Sequence, residues 1–290
     1  MNLKNGLIEK LEDYLRQPFE YERSIAFHPS MLYDFCMRWH YFMYKHPERL
    51  KQIALNPLLR VIFDIGRAIH KKAQEEWFGR SGLLYGKWKC YKCNNIVKGF
   101  YPDFFCECRE CKSENPRINA FNKWCYIEPS IKVKDLWLEA SIDGLVYFNK
   151  EFFLLELKTI NESGFRYCKL SKKNKFQTQI YLNLLQTVKM DIPKPKRAFV
   201  VYINKNCIET GINFETYFPM KAYVVELDRE AKEQWQFTTG KIKKCISYIE
   251  KDEVPPYSRC SAKQRKDCIC LLYTSPSPRD LSTSRMPSSA

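Results

Sequence analysis

No apolar run in this sequence approaches the roughly 18 residues that a membrane-spanning helix needs, and its first residues lack the pattern of a secretory leader. The expectation is a soluble protein without a membrane partner, in the cytoplasm of a prokaryotic cell or a virus-infected host cell. Acidic residues are in deficit, with 33 Asp and Glu against 48 Lys and Arg, a formal charge of +15. That balance points to a polyanionic partner, of which nucleic acid is the obvious class. Disorder is excluded for most of the 290 residues, because 45% apolar content can build a core. Thirteen cysteines without a leader argue for reduced thiols and metal ligands over a disulfide scaffold.

Along the chain, helices are expected over Leu3–Arg16, over Ser30–Lys45 with Ser30 as N-cap, and over Pro57–Phe78 with Pro57 in its first turn. In the last of these, Ile62, Ile65, Ile69 and Ala73 follow helical spacing. From Gly86 to about Trp124, cysteines and aromatics without a sustained period suggest a small metal-stapled insertion. Strands are expected over Trp137–Phe148 and Glu151–Thr159, joined by a hairpin tip at Asn149-Lys150. A helix from about Lys175 to Met190 is expected to bury Phe176, Ile180, Leu184 and Val188. Arg197–Ile203 and Ala222–Leu227 then read as strands, and Arg229–Glu250 as a helix. This order gives a mixed α/β domain. The expected organisation is a helical part (1–85), an insertion (86–124), a core with a cysteine-bearing C-terminal region (125–269) and a tail (270–290). The tail, Ser/Pro-rich and unlike the rest, reads as adapter-derived and non-native.

If Asn149 and Lys150 form a two-residue loop, paired positions sum to 299, and Asp143 faces Glu156. Two carboxylates about 5 Å apart repel unless a cation lies between them. Mg²⁺ or Mn²⁺ would resolve this, since both take hard oxygen ligands. Lys158 shares the face of Glu156, while Leu155 and Leu157 point to the core. By themselves these residues read first as an exposed cross-strand charge ladder, which is an ordinary feature of sheets. With a metal, they could activate water against a phosphodiester.

Four motifs stand in register: Gly66-Arg67-Ala68-Ile69-His70, Asp143-Gly144, Glu156-Leu157-Lys158, and Gln177 with Tyr181. Together they resemble the PD-(D/E)XK nuclease superfamily, and within it the RecB-like exonucleases with their CRISPR-associated branch. The resemblance implies a restriction-endonuclease-like core: a mixed central sheet flanked by helices, here with a helical N-terminal region and a zinc-ribbon insertion. It also implies His70, Asp143, Glu156 and the Leu157 carbonyl as ligands of Mg²⁺ or Mn²⁺, and Lys158 as the residue acting on the attacking water. Gln177 and Tyr181, i and i+4 on a helix, would meet DNA near the site, and Lys172, Lys173 and Lys175 would grip its phosphates.

Cys90-x-x-Cys93 and Cys108-x-x-Cys111, fourteen residues apart, are close to zinc-ribbon spacing, with Cys106 as an alternative third ligand. Some RecB-like exonucleases hold a 4Fe-4S cluster, and by that resemblance Cys36, Cys260 and Cys268 are its candidates here, against ordinary thiols as the alternative. Cys125, Cys168, Cys207 and Cys245 read as plain thiols. Two functions follow: a metal-dependent nuclease acting on DNA, single-stranded or with free ends, and a non-catalytic nucleic-acid-binding protein that keeps the fold.

Overall fold

The computed structural model describes residues 10–11, 13–15, 26–47, 57–91, 93–102, 124–205 and 218–256. The chain divides into two compact units, Met1–Tyr33 with Ala54–Phe237, and Asp34–Ile53 with Thr238–Ala290. The tail, most of the first expected helix, and Cys106, Cys108, Cys111, Cys207, Cys260 and Cys268 lie outside the described residues.

In the larger unit, helix α2 (Pro57–Lys72) continues into a π-helical segment (Ala73–Gly79), and strands β1 (Leu84–Cys90), β2 (Ile96–Phe100) and β3 (Trp124–Ile127) follow. Next come β4 (Ser130–Val133), β5 (Leu138–Ser141), β6 (Gly144–Phe148), β7 (Glu151–Ile160) and the short α3 (Glu162–Arg166). The unit is completed by α4 (Lys172–Thr187), β8 (Arg197–Asn204), β9 (Met220–Glu226) and the start of α5 (Arg229–Glu250). The smaller unit holds α1 (Met37–Lys45) and the rest of α5.

Seven strands make one mixed sheet in the order β2-β1-β6-β7-β8-β9, with β3 also paired to β1. Among the described strands of this sheet only β7 and β8 are parallel. A parallel pair needs a crossover, and α4 supplies it. Its stripe of Phe176, Ile180 and Leu184 is buried as its period requires. Ser171 caps it by accepting the Asn174 amide at 3.1 Å. Alternate residues of β7 enter a core cluster with Ala73, Trp88, Trp124 and Val201, and Leu155 and Leu157 are fully buried there. Burial of each such leucine contributes about 1.5–3 kcal/mol. The architecture is therefore α/β, a mixed central sheet flanked by helices.

Several expectations need correction. The run Ser30–Lys45 is not one helix: a 3-10 turn spans Pro29–Met31, and α1 begins only after Cys36. Buried Leu32 and the Tyr33 ring, 5.6 Å from Phe176, anchor the break, so tertiary packing overrides the helical pattern. The stripe on α2 is incomplete, with Ile65 44% exposed. The run Trp137–Phe148 divides into β5, which pairs with β4 in a separate two-stranded sheet, and β6 of the main sheet. Trp137 ends a 3-10 turn in the left-handed region (φ 45°). The borders of the expected insertion belong to the main sheet, because β1 alternates buried and less buried residues and places Trp88 and Cys90 in the core. That period of two was present in the sequence, masked by the cysteines beside it.

Candidate active site

Asn149 (φ 49°) and Lys150 (φ 63°) form the tight turn between β6 and β7, and both left-handed residues match the twist of a two-residue hairpin. The register follows: Gly144 pairs with Leu155, Leu145 with Leu154, Phe148 with Glu151. One step beyond Gly144, Asp143 reaches across to β7. Its Oδ2 accepts the backbone N–H of Leu157 at 2.6 Å, while its Oδ1 is 3.6 Å from His70 Nδ1, brought in from the last turn of α2. Glu156 is buried and its Oε1 lies 2.5 Å from Lys158 Nζ, which also donates to Gln177 Oε1 at 3.4 Å. Three separated sequence motifs therefore meet at one end of the β6–β7 hairpin.

The charges in this group are strongly coupled. Burial pushes the Glu156 carboxyl up, the Asp143 charge pushes the same way, and Lys158 pulls back, leaving it at about 7. Burial works against the Lys158 ammonium, but the Glu156 carboxylate outweighs it, and the lysine ends above its ordinary value. At His70, burial disfavours the imidazolium, yet Asp143 prevails and raises its pKa. The acids thus repel one another in a partly dry place and are held by surrounding cations.

Two further residues belong here that the sequence did not reveal. Gln74, from the π-helical segment, donates through Nε2 to Glu128 Oε1 and to the Asp143 carbonyl, both at 2.8 Å. Glu128 follows β3, and burial raises its carboxyl, with Asp143 adding to the effect and Gln74 opposing it. Position i+4 from His70 was the one legible hint for Gln74; nothing local marked Glu128. Gln177 and Tyr181 do not present a face to solvent as expected. Both are buried, with Gln177 Nε2 donating to Tyr181 Oη at 2.9 Å, so they brace Lys158 from behind. Lys172 and Lys173 are exposed and Lys175 half-buried in the first turns of α4.

A cleft of about 800 Å³ opens on this group, lined by His70, Gln74, Glu128 and Lys158, and by Arg67 and Lys205. Imidazole nitrogen and carboxylate oxygens are a suitable donor set for Mg²⁺ or Mn²⁺. The mutual repulsion of buried Glu156 and Asp143 is what a cation would relieve. Among the described residues no three His, Cys, Asp or Glu side chains are already gathered at ligand spacing. His70, Asp143 and Glu156 would hold the ion, each carboxylate through the oxygen other than the one that meets the Leu157 amide or the Lys158 ammonium.

Cys90 and Cys93 flank the turn after β1, where the Cys90 amide donates to the Asn95 carbonyl at 2.8 Å and the Asn94 amide to the Cys90 carbonyl at 3.0 Å. In the smaller unit, Cys36 caps α1, and its close neighbour is Cys245, whose thiol burial pushes up to about 12 with Cys36 adding to the effect. No helix among the described residues is long and apolar enough to cross a membrane.

Neither a family model nor a curated protein sequence matches the chain. Among solved structures, the crystal structure of SSO0001 is similar over 95% of this chain and 96% of that chain, at 13% identity and a TM-score of 0.41.

Proposed function

We propose that this protein is a metal-dependent deoxyribonuclease of the PD-(D/E)XK type, with a restriction-endonuclease-like core, hydrolysing phosphodiester bonds of DNA in processing, repair or recombination. The observation that carries the proposal is the convergence of Asp143, Glu156 and Lys158 with His70 from a separate helix, beside a cleft that His70 and Lys158 line. A protein that only bound DNA would gain nothing from buried acids beside the phosphate path, since they repel it.

Mg²⁺ or Mn²⁺, when bound, supplies Lewis-acid charge for the phosphate oxygens and lowers the pKa of water. The chain's own residues do the rest. Asp143 is fixed by the Leu157 amide and faces His70, which sets the distance between two donor groups. Lys158, positioned by Glu156 and Gln177, orients the attacking water and stabilises negative charge on the phosphorane. Water gives up one proton to solvent as it adds to phosphorus, the bond to the leaving oxygen breaks, and that oxygen takes a proton from solvent. Lys172, Lys173 and Lys175, with the +15 charge of the chain, supply non-specific affinity for the backbone. A structural zinc held by Cys90, Cys93, Cys108 and Cys111 belongs to the same proposal, supported by the tight turn between its first two ligands.

The test is cleavage of labelled single- and double-stranded DNA in Mg²⁺ or Mn²⁺. Wild type should cut and Lys158→Ala should lose at least about 100-fold, the usual weight of a transition-state donor. Salt-sensitive binding without cleavage in either protein would favour the non-catalytic alternative.

A further inference from the structure

The cleft extends past the candidate metal ligands to a wall that no step of the mechanism uses. There stands Tyr91, 48% exposed, the first residue of the turn after β1. Two charged groups fix its ring from behind. Its hydroxyl donates to Glu75 Oε1 at 3.4 Å, and Lys71 Nζ lies 5.3 Å from the ring centroid. His70, the expected metal ligand, lines the same cleft as Lys71 and Tyr91. Arg67 and Lys205 line the same cleft. An oriented, half-exposed ring among cations matches the alternation of base and phosphate in a single strand. Base–aromatic stacking is tolerant of sequence because every base has a π-face.

We propose that Tyr91 is a stacking platform for the nucleobase adjoining the phosphate held at His70, with Lys71 and Arg67 on the neighbouring backbone. The proposal rests on the nuclease reading only for which phosphate lies at His70. A duplex keeps its bases stacked on one another and cannot offer that face, so Tyr91 is a specificity residue for unpaired strands and frayed ends.

The test is binding of a single-stranded oligonucleotide carrying 2-aminopurine near its end, with Ca²⁺ in place of Mg²⁺ to prevent cleavage. Wild type and Tyr91→Trp should quench the fluorophore. Tyr91→Ala should lose the quenching and about 5- to 140-fold in affinity, the range measured for a stacked base. Tyr91→Ala that binds and quenches like wild type overturns the proposal, even if the protein cuts DNA. Loss of quenching in Tyr91→Ala while wild type leaves DNA uncut in Mg²⁺ or Mn²⁺ supports stacking and removes only the hydrolytic reading. Because Tyr91 is outside the core cluster, its variants should fold, and unchanged thermal melting verifies it.

Discussion

The carboxylate of Asp143 accepts the backbone N–H of Leu157 at 2.6 Å, clasping the two arms of the β6–β7 hairpin at the place where the candidate ligands sit. The aspartate therefore has a structural duty and, in the proposed nuclease, a chemical one, and two substitutions separate them. Asp143→Asn keeps an oxygen for the amide and should melt within about 1 kcal/mol of wild type while losing Mn²⁺ affinity. Asp143→Ala orphans a buried N–H and should cost about 1–3 kcal/mol. Urea unfolding with Mn²⁺ calorimetry distinguishes the two effects.

Gln74 ties α2's π-helical extension to both Glu128 and the Asp143 carbonyl. Replacing it with Leu leaves two acceptors unsatisfied in a partly buried place. Stability should fall by about 1–3 kcal/mol, and kcat for DNA cleavage should fall with it because Asp143 is no longer held. Denaturant midpoints and steady-state kinetics measure the two losses.

Gln177 and Tyr181 show where the sequence misled. Spaced i and i+4, they were expected to meet DNA near the site, but only the packing of α4 over β8 decides which side of the helix they occupy. As a buried brace for Lys158, Gln177→Leu should lower kcat and leave DNA KM within about twofold. A raised KM at constant kcat would restore the DNA-contact role.

The titration of Glu156 gives stability a pH dependence in the metal-free protein. Its folded pKa, about 7, lies above its ordinary value of 4.5 because burial disfavours the charge. A raised carboxyl contributes its stability below the unfolded pKa and loses it as pH rises through the folded one. The metal-free thermal midpoint should therefore decline between about pH 4.5 and 7 and level off above. Glu156→Gln should flatten that decline. Mn²⁺ affinity should run the opposite way, weakening below about pH 7 as protons compete for the same oxygens.

How much of this was legible follows from the range of each signal. The 299 register depended on a two-residue loop and nothing else, so the pairing of Gly144 with Leu155, beside Asp143 and Glu156 in the chain, could be read from spacing. His70 was placed by motif, and its partner is 73 positions away, a distance that only the fold closes. Glu128 lay hidden because its relation to Gln74 spans 54 positions with no periodic marker between. Both left-handed residues of the hairpin, Asn149 and Lys150, are tolerated without glycine. Lys150→Gly should stabilise the hairpin by up to about 1 kcal/mol, readable as a higher urea midpoint.

In the proposed nuclease, His70, Asp143 and Glu156 receive one divalent cation beside Lys158. Anomalous diffraction from crystals soaked in Mn²⁺ should then show a single strong peak within about 2.5 Å of donor atoms from all three residues, abolished in Glu156→Gln. A peak elsewhere, or no peak at saturating Mn²⁺, rules that site out.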